Sequence, residues 1–334
     1  KIKNVALPSG AQGQATLYIA FNFISAYGNN CHLDLAHVTG VAPPTPTAVT
    51  IGTGTSTVGH PYYTFYMDSR TQMLYTSSEI QAAGGSPGEI TTIGFYVSSY
   101  STQTMNGFNF RLQNTTLSSL TSWVADGFTT CYSGTYAVTG TGWQLITLQT
   151  PFIWDGSNLL LEVCFDNSSY TSNTYVRYTS NSGKTLHYHA DNNSGCSMTT
   201  VNTSTSRPNL QFVVTPWVGT LTGTVTDSYY HTPISGATIA VPGTAGATTN
   251  ASGVYTIYNV PYGLKNVTCS AANHVTEVKQ VNIQNQVTST VDFDMDNIPA
   301  VLTGIVYDAI SGDPLVGAEI SVDGVPFYST AGGV

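Results

Sequence analysis

Short apolar-rich runs of strand length recur along most of the chain between polar, turn-forming stretches, the pattern of short β-strands. The clearest runs are 93–97, 108–112, 144–148 and 159–165, with Gly, Asn, Ser and Asp punctuating them at intervals suited to antiparallel sandwiches. Further strands are expected at 219–226, 238–241, 253–260, 265–271, 275–283 and 288–295. Helical spacing occurs once, at 77–83. Gly84-Gly85 closes it, so it supports one short turn of helix. The pattern predicts an all-β chain of tandem β-sandwich domains.

A repeat organises the second half. Leu221-Thr222-Gly223-Thr224-Val225-Thr226-Asp227 returns, 81 residues later, as Leu302-Thr303-Gly304-Ile305-Val306-Tyr307-Asp308. At the same shift Pro233, Gly236, Ala237, Ile239 and Gly243 meet Pro314, Gly317, Ala318, Ile320 and Gly324. Such self-similarity marks stacked supersecondary units. The first copy runs on to about residue 295, whereas the second shows only its opening half. Pro43-Pro44-Thr45-Pro46 reads as a stiff linker after two apolar runs at 15–21 and 33–38. The expected division is therefore 1–42, terminal strands of an incomplete β domain or a donor segment; 43–47, linker; 48–216, β-sandwich; 217–297, a second sandwich; and 298–334, an incomplete repeat.

The repeat resembles the carboxypeptidase regulatory-like family, a transthyretin-like sandwich. The residues that carry this are Leu221–Val225 of the motif above, Thr232-Pro233-Ile234-Ser235-Gly236-Ala237, Asn250-Ala251-Ser252-Gly253-Val254-Tyr255 and Val260-Pro261-Tyr262-Gly263. The resemblance implies a stalk or accessory module without an active site. The middle region is similar to β-sandwich modules of secreted Bacteroidetes-type surface proteins, through Arg70-Thr71-Gln72-Met73-Leu74-Tyr75, Gly142-Trp143, Pro151-Phe152-Ile153-Trp154 and Arg207-Pro208-Asn209-Leu210. Residues 1–42 resemble the last strands of a cleaved-adhesin or MAM-like jelly roll. Together these imply a jelly-roll-like domain followed by transthyretin-like or Ig-like modules.

Composition narrows the function classes. Charged residues make up 8% of the chain, against roughly 25% in ordinary domains. The uncharged polar surface that results tolerates close self-association. Nine basic residues and a net charge of −9 argue against nucleic acid, which needs clustered Lys and Arg. No apolar stretch is long enough to insert into a membrane as a helix. The five cysteines, Cys31, Cys131, Cys164, Cys196 and Cys269, are scattered without a C-x-x-C pair. A Cys131–Cys164 or Cys164–Cys196 disulfide and a set of buried free thiols both remain open.

Candidate chemistry is sparse. Gly84-Gly85-Ser86-Pro87-Gly88 matches G-x-S-x-G, but a nucleophile elbow needs a strand before it and a helix after it. His187 and His189 leave one face of an expected strand and, with Asp191 or Cys196, form a weak metal candidate; surface histidines are the simpler reading. Asp292, Asp294 and Asp296 share a strand face where calcium is conceivable, without the Gly and Glu of an EF-hand loop. A solvated edge that discourages pairing is the simpler reading. Sequons at Asn114, Asn167, Asn192, Asn202, Asn250 and Asn266 arise readily in a chain rich in Asn, Ser and Thr. The aromatic cluster Tyr62-Tyr63-Phe65-Tyr66 fits alternating strand packing, with stacking on sugars as the other use.

The expected function is a non-catalytic, secreted structural protein of bacterial type, a filament, stalk or adhesin subunit at the cell surface or outside the cell. Copies would join head to tail through β-strand contacts. The expected polymer interface is Leu17, Ile19, Phe21, Leu33, Leu35 and Val38 against Ile305, Val306, Ile320 and Val322. Expected partners are other copies of the chain, with glycans or a host or cell surface as further candidates, and no cofactor beyond the calcium just weighed. The alternative is an accessory, carbohydrate-binding region of a larger secreted hydrolase.

Overall fold

A computed structural model of the chain describes residues 43–299, 301–322 and 324–331. The runs at 15–21 and 33–38, and with them Leu17, Ile19, Phe21, Leu33, Leu35, Val38 and Cys31, lie outside the described residues.

Residues 47–216 form eleven strands and a helix: β1 (Thr47–Ile51), β2 (Thr57–Val58), β3 (Asp68–Tyr75), α1 (Ser77–Ala82), β4 (Gly88–Ser99), β5 (Met105–Thr115), β6 (Thr129–Tyr136), β7 (Gly142–Trp154), β8 (Asn158–Asp166), β9 (Tyr175–Ala190), β10 (Asn202–Pro208) and β11 (Leu210–Pro216). The hydrogen-bonded path runs β1-β11-β4-β9-β3-β8-β5-β6, with β7 on β4 and with β2 and β10 on β9. Neighbours on this path are antiparallel. Strand β9 turns the corner of the sandwich. Its start pairs with β4 at Val97↔Val176, and its later part pairs with β3 from Met73↔Thr185 to Asp68↔Ala190. Between the layers lie Tyr62, Phe95, Phe108, Phe110, Trp154 and Phe212, all fully buried. Capping fixes α1: Thr76 and Glu79 form a reciprocal capping box and Ile80 is buried.

Strands β3 and β8 are buried on both faces, which is why 159–165 reads as a continuous apolar run rather than an alternation. Their second face lies under Leu120, Trp123, Val124, Phe128 and Val201, with the Met198 carbonyl bonded to Arg70. Glu162 sits at the centre of that face, fully buried. Arg70 Nη2 lies 2.7 Å from its Oε2, Gln72 Nε2 donates to the same oxygen at 2.7 Å, and Arg111 pairs with Oε1. Arg70 also donates to the Met198 carbonyl at 2.9 Å and lies over the Trp123 ring. The buried carboxylate therefore has every partner that burial demands.

One rung further along β8, a Cys164–Cys196 disulfide pins the loop after β9 onto this face, which decides between the two pairings left open. Cys131 and Cys269 are buried free thiols. Cross-linking across 32 residues is worth about 3–4 kcal/mol by loop entropy. Cys196→Ser is expected to lower the urea unfolding free energy by that amount; an unchanged value would contradict the pairing.

The second unit contains β12 (Val218–Asp227), β13 (Thr238–Ala240), β14 (Ala247–Thr248), β15 (Val254–Pro261), β16 (Gly263–Ser270), β17 (Glu277–Ile283), β18 (Thr288–Thr290) and β19 (Phe293–Met295). One sheet has β12 at its centre, antiparallel to β15 and parallel to β18 and β19. The other runs β14-β13-β16-β17. Leu221, Val225, Ile239, Val260, Val267, Ile283 and Phe293 fill the space between them. The single strand expected at 288–295 is two, because Asp292 Oδ1 takes the Thr224 amide at 2.7 Å and interrupts the ladder. A final hairpin comprises β20 (Glu319–Val322) and β21 (Val325–Tyr328).

Candidate functional site

The histidines are half-buried rather than fully exposed. The face of β9 carrying His187 and His189 turns inward, opposite Thr71 and Ser69 of β3. Residues 59–66 close over them as a turn, with Tyr62 N donating to Gly59 O at 2.9 Å and Tyr66 N to Tyr63 O at 3.0 Å. The aromatic cluster is thus a plug rather than the expected strand, since Gly59 and Pro61 break any ladder there. Tyr62 enters the core, while Tyr63 and Tyr66 lie 4.0 and 4.2 Å from the His189 ring, centroid to centroid. His60 stacks on His187 at 4.8 Å, and its Nε2 contacts the Ser206 carbonyl at 2.6 Å. Burial pushes the His60 pKa down to about 3 and that of His187 to about 4, and lowers that of His189. The neighbouring rings push the first two in the same direction. No group of three or more His, Cys, Asp or Glu among the described residues is placed to hold a metal ion.

Ser86 lies between α1 and β4, so helix precedes strand, the reverse of a nucleophile elbow. Asn167 is buried, with its Oδ1 accepting the Asn106 amide at 2.7 Å, and is no glycan acceptor in the folded chain.

Asp292, Asp294 and Asp296 share one exposed face, as their spacing implied. Each accepts a hydroxyl from β12 or the residue after it: Thr224 at 2.8 Å, Thr226 at 2.9 Å and Ser228 at 2.8 Å. This hydroxyl–carboxylate ladder seals the outer side of the parallel pair.

The second repeat reproduces the local geometry of the first. Asp227 Oδ1 accepts the amides of Tyr229 and Tyr230, and Asp308 Oδ1 those of Ile310 and Ser311. The Tyr230 amide leads in holding the Asp227 carboxyl down to about 2, and the Ser311 amide leads in lowering that of Asp308. Gly236 and Gly317 have φ of 77° and 76°, and the bridge Thr226↔Pro233 recurs as Tyr307↔Pro314. Thr249 Oγ1 accepts from the Ala237 amide and donates to Ile234 O; Ser329 does the same for Ala318 and Leu315, one residue earlier than the 81-residue shift places it. The second hairpin is shorter by that residue.

Packing differs sharply between the copies. Leu221 and Val225 are buried at the centre of a sheet, but Leu302 is 76% exposed and Ile305 48%. Val306 and Ile320 are half-buried, Val322 is exposed, and Ile310 stands 98% in solvent. No strand among the described residues lies beside 302–306. At the three positions of the hydroxyl ladder, Thr224, Thr226 and Ser228, the second copy has Ile305, Tyr307 and Ala309. Periodicity revealed the repeat; this substitution pattern becomes meaningful only once the ladder is seen.

Residues 220–296 match the family model of the carboxypeptidase regulatory-like domain. This segment is similar to that domain in sequence. It is under a quarter of the chain. No curated protein matches the chain. Among solved structures, the chain is similar to a cohesin–X–dockerin complex of Acetivibrio cellulolyticus (20% identity, 22% of this chain and 52% of that one, TM-score 0.19). It is also similar to the Bacillus anthracis TIE protein (12%, 89% and 50%, 0.25) and to BcpA, the major pilin subunit of Bacillus cereus (13%, 76% and 71%, 0.22). The chain spans about half the length of the first two. Scores this low carry no inference about function.

Proposed function

We propose that the chain is a non-catalytic structural part of an extracellular filament, stalk or adhesin, joined head to tail by strand addition. The observation that carries the reading is the segment 302–308, which repeats the central strand of the carboxypeptidase regulatory-like domain; apart from its bridge at Tyr307↔Pro314 and the Val306 carbonyl's bond to the Leu315 amide, it has no strand beside it among the described residues and exposes Leu302, Ile305 and Tyr307. An unpaired edge with exposed apolar residues is a template for another strand. Leu17, Ile19 and Phe21 alternate in sequence and offer apolar side chains where β19 offers acids. They match Ile305 and Tyr307, and Leu33, Leu35 and Val38 belong to the adjoining run. Contact between different surfaces of identical copies extends into a fibre wherever the rotation between neighbours does not close a ring. A disulfide in the first sandwich supports an oxidising, extracellular location. No helix among the described residues is long and apolar enough to cross a membrane.

Sedimentation velocity of the full chain tests the assembly. The expected result is a concentration-dependent series of oligomers that Ile305→Asp with Tyr307→Asp reduces to monomer, the domain at 220–296 staying folded. A wild-type chain that remains monomeric at about 100 μM, far above the micromolar range of standard contacts, would contradict it.

A further inference from the structure

The face of β3 and β8 that carries the Glu162 network ends in a rung of two carboxylates. Asp68 and Asp166 are direct cross-strand partners, and their side chains leave the same face as Arg70, Cys164, Gln72 and Glu162. At the inner rungs each acid meets cations. At this rung none is available: among the described residues neither Asp68 nor Asp166 has an ion-pair partner. Like charges directly opposite on a sheet repel. Asp68 is fully buried. Its Oδ2 accepts the Asn193 amide at 2.7 Å, but its Oδ1 is buried with no hydrogen-bond partner. Asp166 is exposed, so the pair opens to solvent on one side.

The surrounding backbone is drawn in tightly. The loop after β9 is fastened by Cys164–Cys196 and by the Met67 amide, which donates to Asp191 Oδ1 at 3.0 Å. A Cβ on Gly195 would collide with the Phe165 carbonyl oxygen and fall 3.1 Å from the Asp166 Cβ. Gly107 approaches Asp166 from the other side with φ of 54°.

We infer that Asp68 and Asp166 form a binding site for a divalent hard cation, calcium, which takes the unpartnered Asp68 oxygen and an exposed Asp166 oxygen as ligands. The donor set decides the class. Only oxygen is offered, with no imidazole or thiolate, which disfavours zinc and copper. Two carboxylates completed by neutral oxygens and water suit the flexible coordination of calcium better than the strict octahedron of magnesium. Low ligand charge sets the expected affinity at about 0.1–1 mM, the range of extracellular modules. This site is distinct from the Asp292–Asp296 face, whose carboxylates are committed to hydroxyls.

The test is thermal unfolding of the full chain at pH 7.5, in EGTA and in calcium chloride at about ten times the expected Kd, with isothermal titration of calcium alone. Wild type should gain about 3–6 °C in calcium. Asp166→Asn should lose that gain and, because repulsion is relieved, melt above wild type in EGTA. The exposed control Asp126→Asn should behave as wild type. A gain of equal size in Asp166→Asn, or no calcium response in wild type, would overturn the assignment.

Discussion

Glu162→Ala is expected to cost about 3–5 kcal/mol of unfolding free energy, the largest single-residue effect in the chain. The substitution removes a fully buried carboxylate, yet most of the loss comes from what remains. Arg70, held under Trp123 and bonded to the Met198 carbonyl, keeps its charge in a site nearly closed to water. Gln72 loses its acceptor on Glu162 while still exchanging hydrogen bonds with Val124, at 2.7 and 3.0 Å. Arg111 is part-exposed and can turn to solvent, so it contributes less. The double variant Glu162→Leu with Arg70→Met should cost clearly less than the sum of the two single changes, since it removes both charges together. Urea denaturation at pH 7 reads both quantities. A loss below about 1 kcal/mol for Glu162→Ala would match an exposed ion pair and contradict the buried network.

The second large effect is acid sensitivity. His60 and His187 have folded pKa values of about 3 and about 4, below the ordinary value of 6.5. Below 6.5 the unfolded chain takes up protons that the folded chain refuses. Stability is therefore complete above pH 6.5 and falls as pH drops towards the folded values. Between pH 6.5 and 4, His60 alone removes about 3 kcal/mol, at 1.36 kcal/mol per pH unit. His187, partly open to solvent, adds a smaller loss of the same sign. Asp68 acts oppositely, because its raised pKa favours the folded chain as pH falls through 6. Glu79 is held down to about 2 by Arg207 and the Thr76 cap, against the opposing pull of its own burial, and loses its contribution only below about pH 4. Replacing His60 with Gln should flatten the fall between pH 6.5 and 4 by roughly half. Unfolding curves at pH 7, 5.5 and 4.5 check this, and equal slopes in both proteins would contradict the burial of His60.

How much of this was legible in the sequence depends on the range of the interaction. The 77–83 helix and the runs at 93–97 and 159–165 announced themselves because their signals, a cap and an apolar period, are local. Thr222-Gly223 and Thr303-Gly304 likewise marked the repeat by adjacency alone. His187 and His189 were correctly placed on one face of a strand, but the cover over that face comes from residues 59–66, which no local pattern connects to them. Tyr62 to Tyr66 are rich in strand-forming aromatics yet fold as a turn, because Gly59 and Pro61 outweigh β propensity there. The break between β18 and β19 required knowing that the Asp292 side chain competes with backbone for the Thr224 amide. The Asp68–Asp166 rung was invisible, since register between distant strands cannot be counted from sequence.

Strand addition at residues 302–308 is tested most directly by hydrogen exchange of peptides covering that segment, measured on the full chain across a hundredfold range of concentration. Amides that join an intermolecular ladder are protected only when copies are bound. Head-to-tail assembly requires protection of 302–308 that rises with concentration and is abolished by Leu17→Asp with Ile19→Asp. Exchange in this segment that is unaffected by concentration, whether fast or slow throughout, would contradict it.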